Sequence, residues 1–338
     1  MTKVTRYFLF GSVAFVVLGL TVGLVGYYGG LPGLAFARAV GPVELQYIPG
    51  DATVVAFANV QDVMRSDFRR KMKQLEPSGE HGQQELRDAL GIDLEADIHQ
   101  VVACMLPGEG SPEKNGLIIA TGLFNQAKIE GFIREKGGVS APYGGKSLFT
   151  HQGVTEGLQA HLHQAGGPAL AFLQPNVVAF GNEAAVRRAI DLGSRAGASV
   201  RDNSEMMDQI AKLDDGNVWA VGHFDAIAHT AKLPEQVASQ MPAISWFAAS
   251  GRVNGGVSGT LSVLARDDEA AANLRQVAGG FMALARMQAG SKPEIDTMLK
   301  LVQLGGDGRT VSVSFSVPSE MLDLLAAHKS KIKTGITK

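Results

Sequence analysis

Cysteine is almost absent from this 338-residue chain: Cys104 stands alone, so no intramolecular disulfide can form and no cage of thiolates can hold zinc. Net charge is nearly absent too. At a formal −2 the protein lacks the basic excess on which nucleic-acid binding relies, and no nucleic-acid partner is expected. Catalytic signatures are missing as well, with no G-x-S-x-G elbow and no H-E-x-x-H pair in the sequence. Gly144-Gly145-Lys146-Ser147 resembles the end of a phosphate loop, but the pattern needs glycine where Ser140 stands. It also leads into Leu148-Phe149-Thr150, a strand pattern rather than the helix whose N-terminus would hold phosphate. No cofactor is expected, and no catalytic or metal residue is assigned.

Long uncharged runs are absent with one exception. Tyr7 to Tyr28 gives 22 residues without a charge, just behind Lys3 and Arg6. As a helix it would span about 33 Å, enough to cross a hydrocarbon core of about 30 Å. A cleaved secretory signal is the competing reading, because Ala35-Phe36-Ala37 fits the A-x-A cleavage pattern, which would leave a chain starting at Arg38. A signal's apolar region runs only about 7 to 15 residues, so the length favours a retained anchor. Lys3 and Arg6 precede the run and only Arg38 follows closely, which puts the N-terminus inside. The expected layout is a basic cytoplasmic tail at 1–6, a transmembrane helix at 7–28, a linker at 29–44, an exported ectodomain, and a basic tail at 329–338. The location is then the inner membrane, with the ectodomain periplasmic or extracellular. Gly19 with Gly23, and Gly26 with Gly30, form G-x-x-x-G spacings through which a second membrane helix could approach, so a membrane-protein partner accompanies the bilayer itself as an expected contact.

The remaining residues have ample core material, with 45% hydrophobic and 19% charged residues, and the 41 glycines point to many turns. Six times an apolar strand meets a polar or proline break and then an amphipathic pattern. The strands are Thr53 to Val60, Leu117 to Phe124, Val177 to Gly181, Val218 to Phe224, Thr260 to Arg266 and Val311 to Val317. The breaks fall at Asp62, Asn125, Asn182, Asp225, Asp267 and Pro318, residues suited to helix starts. Hairpin partners precede the second and third strands of each half, with turns at Pro107 to Asn115, Gln174-Pro175-Asn176, Asn254-Gly255 and Gly305-Gly306-Asp307-Gly308. Asn-Gly predicts a type I′ turn with positive φ at both positions. The expected fold is α+β: two diverged repeats, 45–200 and 201–328, each β-α-β-β-α-β-β-α, with mixed sheets and helices on one face.

Other residues have ordinary structural readings. Cys104, inside Val101 to Leu106, reads as a small buried hydrophobe rather than a reactive thiol. Asp267-Asp268-Glu269 places acids at the positive end of a helix dipole. Arg65, Arg69, Arg70, Lys71 and Lys73 form a solvated helix face, whose sharper reading is attraction to anionic headgroups. His161 and His163 share a strand face near His151, yet no carboxylate stands at a persuasive spacing for a metal site. His223 and His229 flank Asp225, which a cap explains without catalysis.

Three stretches carry a resemblance. Leu45-Gln46-Tyr47-Ile48-Pro49-Gly50-Asp51-Ala52 before the first strand, Leu90-Gly91-Ile92-Asp93 before the next, and Val177 to Asp191 resemble uncharacterised bacterial membrane-anchored ectodomains. Those share an N-terminal helix and a "leucine, proline, small, aspartate, small" lead into the first strand. The resemblance implies an exported location and no established activity. The expected function is a non-catalytic ectodomain that binds a protein or cell-envelope partner. The alternative is an exported enzyme or small-ligand-binding protein with a site between the two repeats, gathering His151, His161 and His163.

Overall fold

The computed structural model describes residues 41–75, 87, 88, 90–93, 95–108, 115–151, 168–213, 216–228, 244–289 and 299–319. The run at 7–28, with Gly19, Gly23, Gly26 and Gly30, lies outside them, as do 29–40 of the linker and the 329–338 tail. The chain divides into two units, 39–64 with 77–211, and 65–76 with 212–338, beyond the N-terminal residues.

The first unit starts with a 3-10 turn at Val43–Tyr47 and continues through β1 (Val54–Asn59) and α1 (Val60–Arg65). The second unit's α2 (Asp67–Leu75) follows in sequence. The chain then forms the hairpin β2 (Ile98–Met105) and β3 (Gly116–Gly122), followed by α3 (Gln126–Glu135), β4 (Gly138–Tyr143) and β5 (Lys146–His151). After these come β6 (Pro168–Gln174), β7 (Val177–Asn182), α4 (Glu183–Gly193), a second 3-10 turn at Val200–Asp202 and α5 (Ser204–Ile210). Its strands lie side by side as β1-β2-β3-β7-β6-β5-β4. The second unit contains β8 (Val218–His223), α6 (Phe224–Ala228), β9 (Ile244–Val253), β10 (Val257–Ala265), α7 (Asp268–Ala289), β11 (Val302–Gly305) and β12 (Thr310–Val317). Its strands lie as β8-β9-β10-β12-β11.

The expected α+β class with mixed sheets is corrected here. Within each unit every neighbouring pair of strands is antiparallel. The twelve strands outweigh the helices; among the described residues only α7, at 22 residues, exceeds eleven. No described helix is long and apolar enough to cross a membrane. The topology explains how a strand-and-helix alternation avoids parallel pairing. The helix after β3, like the helix after β10, returns the chain in its original direction. A hairpin partner then slots in beside the departing strand, β7 next to β3 and β12 next to β10, so strands of like direction never touch. Leaving aside β4 and β5, the two units trace the same path, β1-β2-β3-β7-β6 and β8-β9-β10-β12-β11.

Helices on one face is the second correction. In the first unit Ile129 of α3 packs with Phe172 and Val178, which face each other across β6 and β7. Because side chains alternate along a strand, the adjoining pair Ala171 and Ala179 points the other way, and both are fully buried. That opposite face belongs to the 3-10 turn and α4. Thr121, paired with Val177, bonds Glu44 there, Gln174 bonds Tyr47, and Gly193 of α4 lies against the Tyr47 ring.

The β4–β5 hairpin is an addition that the sequence pattern concealed. Its two-residue turn is Gly144-Gly145, with φ of 54° and 74°, where side chains would be strained. The phosphate-loop lookalike is therefore a hairpin corner. Strand β4 forms the outer edge of this sheet and carries Pro142 opposite Ser147.

The breaks differ in what they do. Asn125, Asn182 and Asp267 accept hydrogen bonds from the backbone N–H groups of Lys128, Ala185 and Ala270. Asp62 is not a cap: α1 begins earlier, and Asn59 accepts the Asp62 N–H at 3.1 Å while its amide donates back to the Asp62 carboxylate at 2.7 Å. Asp225 lies inside the first turn of α6 and pairs with Arg266 at 3.5 Å. Asn254-Gly255 does join β9 to β10, but as part of a three-residue turn closed by Asn254 N–H to the Gly256 carbonyl at 3.0 Å, with neither residue at positive φ. Asn125→Ala, Asn182→Ala and Asp267→Ala should each cost about 1 kcal/mol in urea unfolding. Asp225→Ala should stay within about 0.5 kcal/mol, as exposed ion pairs do.

Candidate interaction surface

Most of the residues nominated by sequence fall outside the described set or into structural roles. His161, His163 and His229 lie outside it, as does the His151 side chain. His223, at the end of β8, stacks on Trp246 with ring centroids 4.0 Å apart. On α2, Arg70 bonds Asp67, and the Lys71 amine donates to the Ser319 carbonyl at 3.3 Å. Among the described residues no group of three or more His, Cys, Asp or Glu is placed to hold a metal. Arg187 lies 4.4 Å over the Tyr143 ring and bonds Glu183, while the Tyr143 hydroxyl donates to Asp191 at 3.0 Å. The Asp191 carboxylate raises the Tyr143 pKa, and the Glu183 carboxylate raises that of Arg187. The cluster braces the edge strand β4 against α4.

The lead-in at Leu45 to Ala52 is a docking segment. Leu45 and Ile48 are fully buried, Pro49 bridges to Ser199, and the Gly50 N–H donates to the Ala198 carbonyl at 2.9 Å. A side chain at Gly50 would meet the Ser199 and Ala198 carbonyls at about 3 Å. Asp51 completes the contact by pairing with Arg188 of α4. The Leu90-Gly91-Ile92-Asp93 stretch is turn chemistry: Gly91 has φ of 69°, and the Asp93 carboxylate accepts the Glu95 N–H at 3.0 Å.

Two buried groups, Cys104 and Glu44, lie in the first unit. Cys104 sits in β2, and burial pushes its thiol up to about 12, against a smaller opposing pull from Arg188. Glu44 was not singled out by sequence. It is 3% exposed; one carboxyl oxygen accepts the Thr121 hydroxyl at 2.7 Å, and the other has no hydrogen-bond partner among the described residues. Its position two residues into a 3-10 turn carries no sequence signal of burial.

The second unit presents the least covered apolar surface. Register and alternation place Leu261, Val263, Val311, Val313, Phe315 and Leu304 on one face of its sheet. The opposite face carries hydroxyl pairs, Ser258 with Ser316, Thr260 with Ser314 and Ser262 with Ser312. Helix α7 lies on the apolar face, where Ala270, Ala271 and Leu274 pack with Ala265, Val263, Val311 and Leu304. Arg275 pins this half by donating to the Thr310 carbonyl at 3.0 Å. The apolar spacing continues through Val277, Phe281 and Leu284; Val277 and Met282 stay half-buried, but the buried cluster does not extend to Phe281 and Leu284. Phe281, Leu284 and Met287 are 54%, 52% and 72% exposed, and side chains built at Gly279 and Gly280 would meet nothing within 4 Å. A helix of 22 residues is about 33 Å long, and its second half stands clear of the cluster that holds the first.

No known family's model matches the chain, and neither does any curated protein. Among solved structures, crystal form III of TP0453 is similar with a TM-score of 0.50 at 8% identity, covering 86% of this chain and 100% of that one. Crystal form I of TP0453 gives a TM-score of 0.46 at 8% identity, covering 87% and 99%. At this identity the first is a likeness of fold alone.

Two measurements test the buried groups. Iodoacetamide at pH 8 should leave Cys104 unmodified in the folded chain and alkylate it in denaturant, since about one thiol in ten thousand is ionised at a pKa of about 12. A thiol raised from 9.0 stabilises the fold fully below pH 9 and loses that contribution as pH climbs toward about 12. Thr121→Val should cost about 1–3 kcal/mol in urea unfolding, because it strips the buried Glu44 carboxyl of its hydrogen bond.

Proposed function

We propose that the protein is a single-pass inner-membrane protein whose two sheet units lie on the periplasmic or outer side, and that it acts by binding a protein or envelope partner rather than by catalysis. The observation that carries this reading is the uncharged run at 7–28 behind Lys3 and Arg6. The resemblance of Leu45 to Ala52 and Val177 to Asp191 to anchored ectodomains supports it. So do the ways in which the polar side chains are used. Asn125, Asn182 and Asp267 close helix ends, Asp51 with Arg188 fastens the lead-in, and Tyr143 with Asp191 holds the edge strand.

Membranes from cells expressing the full chain should retain it through a high-salt wash and release it only in detergent. Protease added to spheroplasts should digest the sheet units and spare the N-terminus. Recovery of a soluble chain beginning at Arg38 would overturn the anchored reading.

A further inference from the structure

We propose that the C-terminal half of α7 lies in the headgroup region of the bilayer, a role that rests on the anchored reading above. Three features point to a lipid surface as the occupant of this exposed helix. The first is shape. At about 100° per residue, Phe281, Leu284 and Met287 follow one another round an arc of about 120°, while Arg286 falls on the opposite side. An apolar arc backed by a cation is the pattern of a helix lying in the plane of a membrane interface. The second is charge. Between Glu269 and Glu294 the sequence has no acid, and its charged residues are Arg275, Arg286 and Lys292. A segment of one sign is complementary to anionic headgroups and gives a polar protein partner no acid to read.

The third feature is the tether. From residue 29 to residue 41 the chain can span at most about 45 Å, so a run crossing the bilayer at 7–28 holds the fold beside the membrane surface. Three half-exposed side chains are too few to keep a free protein on a bilayer. A tethered one meets the surface at high effective concentration, and a modest patch is then enough. The open surround of Gly280 fits this arrangement, since Gly280 falls within the arc of Phe281, Leu284 and Met287 and adds no side chain to it.

The test uses the full chain reconstituted into vesicles whose acyl chains carry bromine, a short-range quencher of indole fluorescence. Phe281→Trp places a probe in the arc, and Ala272→Trp places one on the opposite side of the packed half. Trp219 and Trp246, both buried, supply a constant background. Emission from the Phe281→Trp probe should shift to the blue and fall at least twofold in brominated vesicles, while the Ala272→Trp probe stays unchanged. The quenching should be stronger when phosphatidylglycerol replaces part of the phosphatidylcholine. Salt extraction is run on the same samples. A chain retained in the vesicles whose Phe281→Trp probe is unquenched overturns the helix proposal and leaves the anchor standing. A chain released by salt overturns the anchored reading, and the proposal with it. An unquenched probe together with cross-linking between copies through Leu284→Cys would assign the patch to a contact between two chains and also overturn the proposal.

Discussion

The structure depends on one pairing constraint, met in both units: a strand that leaves the sheet through a helix is joined edge to edge by a later strand running the opposite way rather than by its immediate successor. In the first unit that pairing is β3 with β7, and in the second it is β10 with β12. It forces antiparallel ladders throughout each sheet. It also fixes which residues share a face, because register sets whether Val178 or Ala179 lies over α3, and whether Val311 or Ser312 lies under α7. The hydroxyl pairs of the second sheet and the apolar surface behind them are two sides of that same register.

Much of the local structure was legible in the sequence. Five of the six strand-to-helix passages lie in the described residues through their helices, and the turns at Pro175-Asn176 and Gly305 to Gly308 fall where the punctuation put them. Local signals succeeded because a cap or a turn is decided by the few residues that make it. Sheet order is decided by partners tens of residues away, and the alternation of strand and helix is equally compatible with parallel and antiparallel solutions. The same limit explains Asp62, where Asn59 three residues earlier takes the capping position because the helix starts at Val60. It explains Asn254 too, since one extra residue in the turn relieves the demand for positive φ.

The candidate surface was less legible than the fold. The sequence marks where α7 starts, at Asp267-Asp268-Glu269, and only the three-dimensional structure shows that its buried cluster reaches Leu274 and not Phe281 or Leu284. Glu44 is a similar case, an acid buried beside the docked Leu45 and Ile48 that follow it rather than through any pattern of its own. Among the histidines that the sequence puts forward, His223 rests against the Trp246 indole.

Strand β4 has a consequence for self-assembly. An outer strand is a ready template for another chain, because its unpaired N–H and carbonyl groups can extend the ladder indefinitely. In β4 Pro142 removes one of those donors, and its pyrrolidine ring stands where an incoming backbone would have to lie. On the other unit, β11 is only four residues long. Polymerisation through these two borders is discouraged by the missing donor in one case and by brevity in the other.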